Sequence, residues 1–269
     1  MVKGAGSGAV LLLLLASISP AASTAETPVL DRVLKNRELR VATSGTQPPF
    51  NAVSKDGQLI GLEVDLARYL ADAMGVDLSL TSMPFPDLLP ALREGKVDMV
   101  LSGISITPER SREFAFVGPY VLSGKSVLTD SKTLLGMKSA RDLDRPELTL
   151  VALLGSTSES YLARVAPRAK LVTTRDYETA IGMVTSGTAS ALVADMPVCI
   201  LAVMRHPDKD LGTLSSPLTV EPVGIVLSPS DARFQNLVEN YLQAIERTGL
   251  LEELRKRWLE QSQWISALP

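Results

Sequence analysis

The chain has 269 residues, 45% hydrophobic and 21% charged, a composition that excludes large-scale disorder and allows one large domain or two moderate ones. A net charge of −3 without a long basic run excludes nucleic acid as a partner. Aromatic residues make up only 4% of the chain, so each one near a prospective site carries weight. The first readable segment is a leader. Lys3 is followed by about ten mostly apolar residues, Ala9 to Ile18, and then by small residues from Pro20 to Ala25. Cleavage is expected after Ala25, with Ala22 as the second choice. The apolar run falls short of the roughly 20 residues that span a bilayer. No other stretch is long enough, so the expectation is an exported protein in the periplasm, without membrane insertion of the mature chain. No cysteine follows the leader to carry a lipid anchor.

The body of the chain alternates strand and helix signals. Glu38 to Ala42 reads as a strand that runs into a turn at Ser44 to Pro49, and Asp56-Gly57 as a hairpin turn between Asn51–Val53 and Gln58–Ile60. Apolar residues at helical spacing predict a helix over 63–74, stopped by Gly75. A strand over 78–83, a short helix over 87–94 and a strand over 97–101 follow. The theme then repeats, with strands at 149–153, 170–173, 191–194 and 223–227 and helices at 159–165, 177–186 and 196–204. Two last helices, 232–248 and 250–258, are broken at Gly249. Alternation of this kind predicts mostly parallel sheets, which bind ligands at loops beyond the carboxyl ends of their strands. Ser44–Phe50 and Ser102–Ser105 fall at such ends.

Three local patterns carry chemistry. Ser102-Gly103-Ile104-Ser105 offers backbone N–H groups and hydroxyls, and five residues later Arg110 supplies a planar guanidinium suited to a carboxylate. Its bland alternative is a surface pair with Glu109 or Glu113. Ser156-Thr157-Ser158-Glu159 is an S-x-x-E capping box, and a helix start also presents free N–H groups to an anion. Asp195 ends the apolar run ALVA, where it serves either as a ligand contact or as a plain N-cap with Pro197 in the first turn. Cys199, alone in VCILAV, reads as a buried inert thiol. With His206 the only histidine, zinc catalysis is set aside.

These landmarks resemble a known family. LRVATSGTQPPF, LIGLEVDLA, FPDLLPALREGKVDMVLSGISITPER, GSTSESYL, ALVADMPV and VGIVL, in this order, are similar to the bacterial extracellular solute-binding proteins of family 3, from Leu30 to Pro269. The resemblance implies an α/β, two-lobed periplasmic-binding-protein fold of type II, each lobe a mostly parallel sheet flanked by helices, joined by a two-strand hinge. The expected division is 1–25 signal peptide, 26–122 first lobe, 123–221 second lobe and 222–269 the return to the first. The resemblance also implies that Arg110 takes a ligand α-carboxylate with help from Gly103, Ser105, Ser156 and Thr157, while Asp195 accepts the α-ammonium. Phe85 matches an aromatic wall of the family, or is core. Gln47 stands where an aromatic residue is common, and Ser44 where receptors for cationic amino acids often carry an acid. That combination favours a neutral or acidic amino acid, captured by hinge closure of a monomer and passed to an ABC permease without a cofactor. Two rivals come with the fold: a cyclohexadienyl (arogenate/prephenate) dehydratase, with Glu159 as general acid and Lys125 assisting, and a ligand-sensing input domain.

Overall fold

The computed structural model describes residues 28–137 and 139–269, together with residues 1, 2 and 4. The apolar part and the cleavage site of the expected leader lie outside the described residues. Among the described residues, no helix is long and apolar enough to cross a membrane.

The first lobe opens with α1 (Pro28–Asn36) and β1 (Glu38–Thr43). Next come β2 (Thr46–Gln47), β3 (Asn51–Val53) and β4 (Leu59–Ile60), which form a small antiparallel sheet containing the expected hairpin. Then follow α2 (Leu62–Met74), β5 (Asp77–Ser82), α3 (Phe85–Arg93), β6 (Met99–Val100), α4 (Pro108–Ser111) and β7 (Ala115–Ser123). The second lobe runs β8 (Lys125–Thr129), α5 (Lys132–Leu135), β9 (Thr149–Leu153), α6 (Thr157–Val165), β10 (Lys170–Thr174), α7 (Tyr177–Thr185), β11 (Ala191–Asp195), α8 (Met196–Arg205) and β12 (Gly212–Thr213). The chain returns through β13 (Glu221–Leu227) and ends with α9 (Ala232–Arg247), α10 (Leu250–Arg255) and a π turn over Lys256–Glu260.

The two large sheets have matching designs, β5-β1-β6-β13-β7 and β10-β9-β11-β8-β12. In each, three strands pair in parallel and one reversed strand is inserted before the edge strand. Four of the five strands therefore run one way, and the exception is the strand that has just crossed from the other lobe: β13 in the first sheet, β8 in the second. The forward crossing is at Gly124, and the return lies between β12 and β13. At this point the two crossing segments touch. A Cβ on Gly124 would stand 1.9 Å from the Thr219 carbonyl oxygen, and the Lys125 N–H donates to Thr219 Oγ1 at 2.9 Å.

The core of the first lobe packs Leu62, Leu66 and Leu70 of α2 against Leu39 and Val41 of β1 and against α9. Trp258 Nε1 donates to Asp65 Oδ2 at 2.9 Å, which fixes the C-terminal segment on α2. The lobes touch each other away from the crossing strands as well. Arg175 Nη2 of one meets Asp87 Oδ2 of the other at 2.7 Å, and Arg205 Nη2 donates to the Pro269 carbonyl at 3.2 Å.

Candidate functional site

The turns after β1, β6 and β9 and the last residue of β11 all lie at carboxyl ends of strands, so the prospective contacts of both lobes converge on one gap. In the first lobe, Thr107 caps the short helix α4 by accepting the Arg110 N–H at 3.3 Å, and Pro108 pre-sets the first turn. That cap aims the Arg110 side chain back at the preceding loop. Nη1 donates to the Ser105 carbonyl at 3.0 Å, and Nη2 reaches across the gap to the Gly155 carbonyl of the second lobe at 3.1 Å. Neither acid of the surface-pair alternative takes Arg110: Glu113 pairs with Arg93, and Glu109 is engaged by its own backbone N–H and the Thr107 hydroxyl.

In the second lobe, Ser156 caps α6 by accepting the Glu159 N–H at 3.3 Å, while Glu159 Oε2 accepts the Gly155 N–H at 2.6 Å. Thr157 faces the gap, where its hydroxyl donates to Glu221 Oε2 at 2.8 Å.

Asp195 and Lys125 are directly opposite each other in the antiparallel β11·β8 pair, the placement in which cross-strand side chains meet. Lys125 Nζ lies 2.8 Å from Asp195 Oδ1 and 3.0 Å from Glu221 Oε2, with Lys125 only 2% exposed in its side chain. Glu221 opens β13, where the Ile106 N–H docks on the Pro222 carbonyl at 2.7 Å. This docking brings Ser105 Oγ within 2.7 Å of Glu221 Oε2. Burial opposes the Lys125 charge, but the carboxylates of Asp195 and Glu221 outweigh it and hold the ammonium above its ordinary range. For Glu221, burial also opposes ionisation, yet Lys125 together with the Ser105 and Thr157 hydroxyls holds the carboxyl below the usual range. Both groups are therefore charged at neutral pH.

Behind this cluster sits Glu63 in the first turn of α2, fully enclosed. Its carboxylate accepts the Gly103 N–H at 2.6 Å, the Asn51 amide at 2.6 Å and the Tyr120 hydroxyl. Burial pushes the Glu63 carboxyl up, against the pull of these donors. The Gly103 N–H, expected to face a ligand, is thus committed to Glu63. Gly103 itself is left-handed (φ 58°), a conformation that suits glycine, and a Cβ there would stand 2.2 Å from Gln47 Nε2 and push that amide aside. Gln47 Nε2 approaches Asp195 Oδ2 at 3.4 Å across the gap. Ser44 Oγ donates to Asn51 Oδ1 at 2.8 Å. Phe85, at the start of α3, joins an apolar cluster that includes Tyr177 and Ile181 of the second lobe, not the wall beside Arg110.

Arg110, Ser105, Ser156, Thr157 and Gln47 therefore meet around one charged centre with Asp195, whereas Ser44 and Gly103 support its walls and Phe85 belongs to the apolar core. Sequence reasoning passed over Glu63 and Glu221. An acid between Leu62 and Val64 at the start of an amphipathic helix, and another at the start of a crossing strand, were the available signals. Cys199 is buried and its thiol is pushed up to about 12, chiefly by burial, and His206 sits at the C-terminal end of α8.

A cavity of about 640 Å³ opens on this centre, lined by Ser105, Thr107, Arg110, Gly155, Thr157 and Glu221 among others. Two similar α/β lobes with facing polar strand-end loops and paired crossing strands define a periplasmic-binding-protein fold. The chain belongs to the bacterial extracellular solute-binding proteins, family 3, whose sequence profile matches residues 39–261. It is 29% identical to a cyclohexadienyl dehydratase from Pseudomonas aeruginosa over 249 residues, covering 93% of this chain and 92% of that one. It is 28% identical to ABC transporter arginine-binding protein 1 of Escherichia coli, with 94% and 98% covered. Among solved structures, the ancestral amino-acid-binding protein AncCDT-1, a precursor of cyclohexadienyl dehydratase, superposes with a TM-score of 0.78 at 32% identity. That superposition covers 86% of this chain and 99% of the other.

Proposed function

We propose that this protein is a periplasmic receptor that captures a neutral or acidic amino acid between its lobes and delivers it to an ABC permease. The supporting observation is one continuous polar chain from Arg110 through Ser105 and Glu221 to Lys125 and Asp195, built from both lobes and both crossing strands. Its two guanidinium or ammonium groups balance its two carboxylates, so a zwitterion enters without adding net charge, whereas a cationic side chain would need a further acid. Neither Ser44 nor Gln47 provides one, and an unpaired charge in a desolvated gap is expensive. A ligand that bridges the lobes favours the closed arrangement and supplies the signal a permease reads.

A second reading, a cyclohexadienyl dehydratase, draws on the Pseudomonas relative's name and on Lys125 between two carboxylates. Dehydration requires a group that gives a proton to the departing hydroxyl. Glu159 is engaged by the Gly155 N–H, and Glu221 is held ionised. The receptor reading is therefore preferred. A thermal-shift screen against the twenty amino acids, arogenate and prephenate tests it, because a ligand that binds only the folded state raises Tm. The expected result is a raised Tm with a neutral or acidic amino acid and no consumption of prephenate. Turnover of arogenate or prephenate by the purified protein would reverse the order.

A further inference from the structure

The groups assigned to an amino-acid head group already have partners inside the protein. Ser105 from the first lobe and Thr157 from the second, both expected to donate to a ligand carboxylate, donate instead to one oxygen of Glu221, at 2.7 and 2.8 Å. Asp195, expected to receive a ligand ammonium, receives Lys125 Nζ at 2.8 Å. The Lys125 ammonium and the Glu221 carboxylate lie 3.0 Å apart. An ammonium beside a carboxylate, held by the same side chains, has the chemistry of an amino-acid head group. Here it is delivered by the two strands that cross between the lobes.

We infer that Lys125 and Glu221 form a built-in competitor for the amino-acid head group, which sets how tightly, and which, amino acids bind. This rests on the amino-acid reading of the cleft. Hydrogen-bonding groups that are already satisfied offer a ligand little until their present partners leave. An entering zwitterion therefore has to displace the pair, and only ligands whose side chains add contacts recover the difference. Arg110 stands outside the pair. Only two of its five N–H donors rest on the Ser105 and Gly155 carbonyls, so its charge and further donors stay on offer to a ligand carboxylate coming from the cavity. Glu221 also ties Ser105 to Thr157 across the gap, which is the bridging role a ligand plays in closure. The pair thus favours the closed arrangement by itself.

The double variant Lys125→Gln/Glu221→Gln removes both charges of the pair together and leaves the Asp195 carboxylate without its ammonium partner, open to that of a ligand. Calorimetric titration of the wild type and this variant with each of the twenty L-amino acids is expected to show at least tenfold tighter binding to the variant for at least one of them. Adding Arg110→Ala to the double variant should abolish the gain, which places the gained binding in this cleft. Small-angle scattering provides a readout that needs no ligand. The wild type should be compact before any amino acid is added, and the double variant should be more extended and contract on binding. Binding that is unchanged or weaker in a folded double variant overturns this inference and leaves the amino-acid reading standing. Absence of amino-acid binding in both proteins removes the head-group site itself, and the inference with it.

Discussion

Glu63 Oε1 accepts the Gly103 N–H at 2.6 Å, so the first turn of α2 holds the loop that carries Ser105. The other carboxylate oxygen takes the Asn51 amide at 2.6 Å, which ties the loop after β1 to the same point. Glu63→Gln keeps the shape but turns an amide NH₂ toward a group that is itself a donor. A loss of about 1–3 kcal/mol in chemical denaturation is expected. Because burial raises the folded-state pKa of Glu63, the folded protein holds its proton to higher pH than the unfolded chain. Its contribution is complete below the unfolded value and declines as pH rises through the raised one. Denaturation midpoints measured from pH 4 to 8 should show this decline in the wild type and a flatter profile in the variant.

Arg110→Ala should leave the fold intact, since among the described residues the guanidinium bonds to the Ser105 and Gly155 carbonyls alone. Affinity for the amino acid found in the thermal-shift screen should fall by about 2–5 kcal/mol, the range for truncating one partner of a buried charged hydrogen bond. Calorimetry decides. Unchanged affinity with an unchanged Tm removes Arg110 from the binding set.

Local chemistry made much of this legible from the sequence. The box around Ser156 and Glu159 and the strand ending at Asp195 are each contained within a few residues, and each is where it was expected; the cap at Thr107-Pro108 that aims Arg110 is just as local but was not read from the sequence. The hairpin around Asp56-Gly57 and helix α2 likewise followed from turn residues and apolar spacing. The charged centre did not, because its members are far apart in the chain. Lys125 meets Asp195 only through the register of β8 on β11, and Glu221 meets Ser105 only because the Ile106 N–H docks on the Pro222 carbonyl at the start of β13. Phe85 could not be sorted between wall and core, since an apolar residue before a short helix fits both until the second lobe's Tyr177 and Ile181 are in place.

Glu221 gives the acid side of the stability profile a specific source. Its carboxyl is held below the usual range by Lys125 and two hydroxyls, so its contribution is present above the unfolded carboxylate pKa and is lost as pH falls through the lowered folded value. Glu221→Gln should make unfolding less dependent on pH between about 5 and 3, a window set by the ordinary glutamate pKa near 4.3 and the downward shift. A wild-type acid limb that the substitution leaves unaltered would assign the effect to other carboxylates.

Asp195→Asn tests the ammonium end. The change removes the charge 2.8 Å from Lys125 Nζ but leaves Glu221 beside that ammonium at 3.0 Å, so the expected loss of stability is modest, about 1–3 kcal/mol. Binding of α-amino acids should weaken more than binding of the matching carboxylic acids without the amino group. Equal losses for both ligand classes, measured by competition calorimetry, would contradict the assignment of Asp195 to an ammonium.

Gly124 is where the two crossing segments press together. A side chain there meets the Thr219 carbonyl oxygen at 1.9 Å, and backbone cannot step aside by changing rotamer, so Gly124→Ala has to separate the strands. The neighbouring bonds would move with it: Lys125 N–H to Thr219 Oγ1 at 2.9 Å and Leu218 N–H to the Lys125 carbonyl at 2.7 Å. Overpacking of this kind costs about 1–3 kcal/mol, and Tm should drop accordingly. The geometric consequence is more specific than the loss of stability. Pushing Thr219 away draws Glu221, two residues on, from Lys125 and from the hydroxyls of both lobes. Scattering should therefore report a larger radius of gyration for Gly124→Ala without any change in secondary structure by circular dichroism. A variant as compact as the wild type would mean that the crossing strands absorb a methyl group without disturbing the closed lobes.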